Sequence, residues 1–121
     1  MDHARFQDWL NRYIDAWRTG DKVAIGDLFS ADARYFYGPY RDPLVGRDAI
    51  VADWTAEPDT PGSWEAEYRP LAIDGTTAVS VGESRYDNGK KYSNIFVCTF
   101  DADGRSTEFR EWFMEPPRAA G

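Results

Sequence analysis

The sequence is poor in the two side chains that most often announce chemistry. It holds one cysteine, Cys98, and one histidine, His3, among 121 residues. A lone cysteine excludes an internal disulfide. One thiol with one imidazole does not furnish a metal-ligand cluster. With no histidine near it in sequence to activate it, Cys98 is expected to be a buried packing residue rather than a nucleophile. Positive charge is scarce too: 14 Lys and Arg stand against 21 Asp and Glu, giving a net charge of −7 and a pI of about 4.6. Phosphate backbones and anionic lipid surfaces would repel such a molecule on average, so neither nucleic acid nor membrane is an expected partner. No apolar run has the length of a membrane span, and the acidic, aromatic start "MDHARFQDWLNRY" does not read as a signal peptide. Gly-rich nucleotide loops and H-E-x-x-H are missing as well. These absences lead to the expectation of a soluble, cytoplasmic protein that works without cofactor or metal.

What the chain has in quantity is aromatic surface: 5 Trp, 7 Tyr and 7 Phe, or 16% of residues. Flat apolar rings with polar tips suit a core, an interface or a small-molecule pocket. Phe6, Leu10, Tyr13, Ile14 and Trp17 recur at steps of three and four and predict an amphipathic helix ended by Gly20. Asp21 can cap a second, shorter helix. "ARYFY" (33–37) reads as a strand, "GRDAIVADW" (46–54) as a third helix and 55–63 as a loop. From Trp64 onward the pattern is strand, with turns at Asp74-Gly75, Asn88-Gly89 and "DADG". The tail "EPPRAAG" cannot continue a sheet, because its two prolines remove ladder donors. The order predicts one α+β domain over 1–121 with a meandering antiparallel sheet.

Glu111 breaks this pattern. In "STEFREWF" (106–113) it lies between Phe109 and Phe113 on one strand face, where a third apolar residue belongs. With Asn88-Gly89 as a two-residue turn, Glu83 faces Asn94 and Val81 faces Phe96. With a four-residue "DADG" loop, Asn94 faces Glu111 and Phe96 faces Phe109. That register gives a dry patch of Val79, Val81, Phe96, Cys98 and Phe109 beside a polar row of Glu83, Asn94 and Glu111, with Arg85 next to Glu83. Glu111 is then a base whose pKa is raised by apolar neighbours and lowered by Arg85, or one half of a buried ion pair. A slipped register would instead leave it in solvent. Glu83 and Arg85 could equally form a surface pair, and Asn94 could simply satisfy a buried acceptor.

"NRYIDAWRTGDKVAIGDLFSADARY", "LVGRDAI" and "DADGRSTEFREWF", in that order, resemble the nuclear transport factor 2-like superfamily, of the SnoaL-like or ketosteroid-isomerase-like kind. The resemblance spans nearly the whole chain. It implies a cone-shaped α+β barrel open at one end, a curved and mainly antiparallel sheet wrapped around N-terminal helices, a deep pocket, and a homodimer formed through the convex face. Of the ketosteroid isomerase catalytic groups only Tyr13 has a counterpart, since Tyr37 and Phe96 occupy the two acidic positions. Members that rely on a pocket histidine have no counterpart beyond His3. Limonene-epoxide-hydrolase-like members offer the nearest chemistry: Glu111 matches their last-strand carboxylate, Tyr35 a first-strand tyrosine, and Tyr37 replaces an asparagine. Their Arg-x-Asp is here reversed as Glu83-Ser84-Arg85. The resemblance implies catalysis by Glu111, Glu83, Arg85 and Tyr37 on a small, largely apolar molecule. Tyr13, Trp17, Tyr35, Trp54, Asn94, Phe96, Phe109 and Phe113 would form the wall. Isomerase, dehydratase and epoxide-hydrolase-like activity are the enzymatic expectations, and a non-catalytic carrier or sensor is the alternative.

Overall fold

The computed structural model describes residues 1–117. Helix α1 (His3–Thr19) starts where the Asp2 side chain accepts from Arg5 N at 2.8 Å. It ends at Gly20, whose φ of 65° reverses the chain at no steric cost. Its buried stripe is Phe6, Trp9, Leu10, Tyr13 and Ala16, a turn of the helix that puts Trp9 inward and leaves Ile14 and Trp17 at the margin. Helix α2 (Lys22–Asp27) is capped by Asp21, as its sequence suggests. Strand β1 (Phe29–Phe36) begins earlier than "ARYFY" does. A two-residue strand β2 (Leu44–Val45), which carries no sequence signal, precedes helix α3 (Arg47–Ala56).

Four long strands follow: β3 (Trp64–Asp74), β4 (Thr77–Tyr86), β5 (Lys91–Phe100) and β6 (Ser106–Met114). They form an antiparallel meander, as the turn signals predict. The whole sheet has the order β2-β1-β6-β5-β4-β3. β1 joins the meander parallel to β6, so the first strand of the chain lies beside the last. The sheet curves around α1 without closing into a barrel. Residues 115–117 lie outside any strand, in keeping with their prolines; the expectation for 118–121 falls outside the described residues.

The concave face of the sheet meets α1 in an aromatic core. Phe6, Trp9, Phe29, Phe96, Phe100 and Phe109 are all essentially inaccessible to solvent. Trp9 packs edge-on against Phe29 and Phe100, with ring centroids 6.0 and 5.3 Å away. Its indole N–H, which would be costly to bury unpaired, donates to the Leu28 carbonyl at 3.1 Å.

Two registers differ from the sequence expectation, with opposite consequences. The β4–β5 turn is a three-residue loop, Asp87-Asn88-Gly89: Tyr86 N donates to Lys90 O at 2.8 Å, and Gly89 takes the positive φ of 90°. Gly82, rather than Glu83, therefore faces Asn94. This slip of one residue exchanges the faces of β4. Ala78, Ser80 and Ser84 point inward and are buried, whereas Val79, Val81, Glu83 and Arg85 line the convex face. The β5–β6 register is shifted by two, with Phe96 opposite Glu111 and Asn94 opposite Phe113. Two residues is one full period, so Asn94, Phe109, Glu111 and Phe113 remain on the concave face.

Candidate functional site

Toward the open end, the core gives way to a cavity of about 640 Å³, within the usual range of small-molecule sites. Nearly every element contributes to it. Tyr13 comes from α1, Tyr35 from β1 with Tyr37 just beyond it, Asp53 and Trp54 from α3, and Tyr68 from β3. Ser84, Asn94 and Glu111 come from β4, β5 and β6. Tyr13 and Tyr35 stack on Phe109, with centroids 5.5 and 4.6 Å away. Trp54 stands edge-on to Tyr13 at 5.0 Å. Phe109 and Phe96 are thus the floor that holds the tyrosines, buried behind the cavity surface rather than exposed in it.

The parallel pairing of β1 with β6 places Tyr35 opposite Phe109. Two residues further along, Tyr37 and Glu111 follow on the same face. Glu111, two residues along β6 from Phe109, lines the cavity, and burial pushes its pKa up to about 7. A single side-chain contact opposes that rise: Asn94 Nδ2 donates to Glu111 Oε1 at 3.4 Å. Asn94 is itself held by Ser84, whose Oγ donates to Asn94 Oδ1 at 3.1 Å. Among the described residues no ion pair reaches Glu111. A carboxyl poised near neutrality, without a cation to lock it ionised, can take up a proton in ordinary conditions.

The phenols have the opposite character. Burial raises Tyr13 and Tyr35 well above the ordinary phenol value, and the negative charge of Glu111 adds to both rises. Their hydroxyls lie 3.1 Å apart and share a hydrogen bond. Burial and the hydrogen bond to Asp53 raise Tyr37 likewise. These groups stay protonated and serve as hydrogen-bonding surfaces rather than bases.

The mouth is framed by the 57–63 loop and the β4–β5 turn. Trp17 lies parallel to Trp64, with centroids 3.5 Å apart. Its indole N–H donates to Asp59 Oδ2 at 2.9 Å, which ties the loop to α1. Asn88, Lys90 and the half-exposed Phe113 complete the rim.

Of the residues singled out from the sequence, Tyr13, Trp17, Tyr35, Tyr37, Trp54, Asn94, Glu111 and Phe113 all line this cavity. Glu83 and Arg85 do not, because the slipped register turns them to the convex face. There Arg85 pairs with Glu67 at 3.0 Å and Glu83 at 3.3 Å, while Lys91 lies 3.4 Å from Glu83. The bridged carboxylate–arginine–carboxylate arrangement is therefore not assembled. Tyr68, Ser84 and Asp53 were not anticipated. Tyr68 was legible from the alternation Trp64-Ala66-Tyr68, and Ser84 only from a three-residue turn. Asp53 carries no signal beyond its place next to Trp54.

Helices, curved sheet and the cavity between them define an α+β pocket fold of the nuclear transport factor 2-like class. A nuclear transport factor 2-like protein of unknown function from Burkholderia xenovorans superposes with a TM-score of 0.76 at 23% identity, covering 98% of this chain and 89% of that one. The chain belongs to the SnoaL-like domain family, which matches residues 10–109. A cystatin-like-fold protein of unknown function from Methylobium petroleophilum gives a TM-score of 0.71 at 21% identity over 100% of this chain and 82% of that one. A protein from Kribbella flavida, provisionally assigned as a ketosteroid isomerase, gives 0.73 at 17% identity over 99% and 85%. Comparison with curated proteins finds no match. Among the described residues, no helix is long and apolar enough to cross a membrane.

Proposed function

We propose that this chain is a cofactor-independent enzyme that moves a proton on a small, largely apolar carbonyl compound, as in an isomerisation or a dehydration. The observation that carries the proposal is Glu111: a carboxyl with its pKa raised to about 7 in an aromatic cavity, without a salt-bridge partner among the described residues. Glu111 takes the proton from the carbon next to the carbonyl. The Tyr13–Tyr35 pair donates to the carbonyl oxygen as negative charge develops there. Asn94, steadied by Ser84, orients the carboxylate. Water addition to an epoxide is the weaker option, because Glu83 and Arg85 lie on the other face of the sheet.

Hydrogen–deuterium exchange of a neutral ring ketone such as 1-tetralone, followed by NMR in D2O, tests the proposal. The wild type is expected to accelerate exchange at the carbon next to the carbonyl. Glu111→Gln should lose about 100-fold or more of that acceleration, the usual contribution of a positioned base. Ketone binding with no exchange above buffer would mean a carrier or sensor instead.

The working unit we propose is a cytoplasmic homodimer, paired through the convex face. That face presents Val79, Val81, Ile95, Val97, Trp112 and Met114 on neighbouring strands, interrupted by Arg69 opposite Val81 and Arg110 opposite Val97. Such a patch on a monomer marks an interaction surface. Sedimentation equilibrium should return twice the chain mass, and Val81→Glu should halve it.

A further inference from the structure

The protons inside the cavity are already partly allocated, and that allocation restricts what can bind. Tyr13 and Tyr35 share one hydrogen bond, so the pair keeps a single O–H for a ligand. Ser84 commits its proton to Asn94, and Asn94 turns an N–H toward Glu111. Tyr37 donates its proton to Asp53, one residue before Trp54 on α3. Toward the cavity Tyr37 therefore presents lone pairs and no proton. It follows directly on the last β1–β6 pair, Phe36 with Arg110, near enough to Glu111 for the carboxylate's charge to act on it. One wall thus offers a donor at Tyr13–Tyr35, and the adjoining wall offers acceptors at Tyr37 and Glu111. Charge completes the restriction: Asp53, Glu57, Asp59 and Glu111 line the space against Lys90.

Taking this cavity as the working site, we infer that its ligand is a neutral hydroxy-ketone. Its carbonyl oxygen accepts the Tyr13–Tyr35 proton, and its hydroxyl donates to Tyr37 beside Glu111. Asp53 is the positioning residue that sets this preference, because it holds the Tyr37 proton out of the cavity. A carboxylate on the ligand is disfavoured, since four carboxyl side chains line the space against one lysine.

Calorimetric titration with four probes of one ring system tests the assignment: 4-hydroxy-1-tetralone, 4-methoxy-1-tetralone, 1-tetralone and 1-tetralone-4-carboxylate. The hydroxy compound should bind about 5-fold more tightly than the methoxy or unsubstituted ketone, the scale of one neutral hydrogen bond, and the carboxylate should bind weakest. Tyr37→Phe should bring the hydroxy–methoxy ratio below about 2-fold while leaving 1-tetralone unchanged. Asp53→Ala, at an exposed helix position, frees the Tyr37 proton and should move the preference toward the methoxy ether. Circular dichroism confirms that both variants are folded. Binding of 1-tetralone with no gain from the hydroxyl overturns this inference alone, as does a hydroxyl preference that survives Tyr37→Phe. If none of the four binds, the cavity reading falls and this inference with it.

Discussion

The two ends of the concave side of the sheet are built from the same residue types for different purposes. At the closed end, Trp9 meets Phe29 and Phe100 edge to face, as Phe29 meets Phe109, and the buried Trp9 N–H is satisfied by a backbone carbonyl. At the open end the rings are tyrosines and Trp54, the hydroxyls of Tyr13 and Tyr35 meet, and a carboxyl lies among them. The first arrangement gains from every contact. The second keeps a group whose charged form burial opposes. Stability is invested at one end and function at the other, with Phe109 as the shared wall: Trp9 contacts it from one side, Tyr13 and Tyr35 from the other.

Substitutions at each end should separate these roles. Trp9→Ala removes the largest fully buried side chain and should cost about 3–5 kcal/mol in urea unfolding, the usual range for a buried aromatic. Gly82→Ala attacks the wall between the ends: an added Cβ would collide with the Glu67 carbonyl and the Tyr68 backbone. About 1–3 kcal/mol of destabilisation is expected from such overpacking, read as a fall in Tm.

Glu111→Gln should act with the opposite sign. The folded pKa of about 7 lies above the unfolded value of roughly 4.3, so between those values the folded state binds more protons than the unfolded chain. Stability from this group is fully present below about pH 4.3 and is lost as pH rises through about 7. The variant should therefore be more stable than wild type by about 3–4 kcal/mol at pH 8, the worth of that rise in pKa, with the difference shrinking as pH falls and vanishing only below about pH 4, in paired urea titrations. Arg85→Ala, on the convex face, should change stability by less than about 0.5 kcal/mol and leave tetralone affinity untouched. A loss of affinity there would place Arg85 back in the site.

The closed end was the more legible of the two. Phe6, Leu10 and Tyr13 announce α1 by spacing alone, and Phe96 and Phe109 stay inward together because the β5–β6 shift is an even number of residues. β4 was misread for a physical reason. Asn88-Gly89 suits a two-residue turn, but it also suits a three-residue loop with Gly89 in the left-handed region. The apolar pattern then favoured the wrong choice, since Val79 and Val81 look like core. They lie outside because the inward positions face large rings, Tyr68 and Phe96, beside which only Ala78, Ser80, Gly82 and Ser84 fit. Of the site, the residues carried by α1, β1, β5 and β6 were visible in sequence. Asp53 was not, because its role comes from the packing of α3 against β1, which no local spacing encodes.

The central claim is that Glu111 is a poised base. It is tested most directly by a 13C NMR titration of the side-chain carboxyls in glutamate-labelled protein, with Glu111→Gln identifying the resonance. A midpoint near pH 7 for Glu111 is the predicted result. A midpoint near the ordinary value of about 4.3 would mean a solvated or charge-paired carboxylate, and would contradict the account.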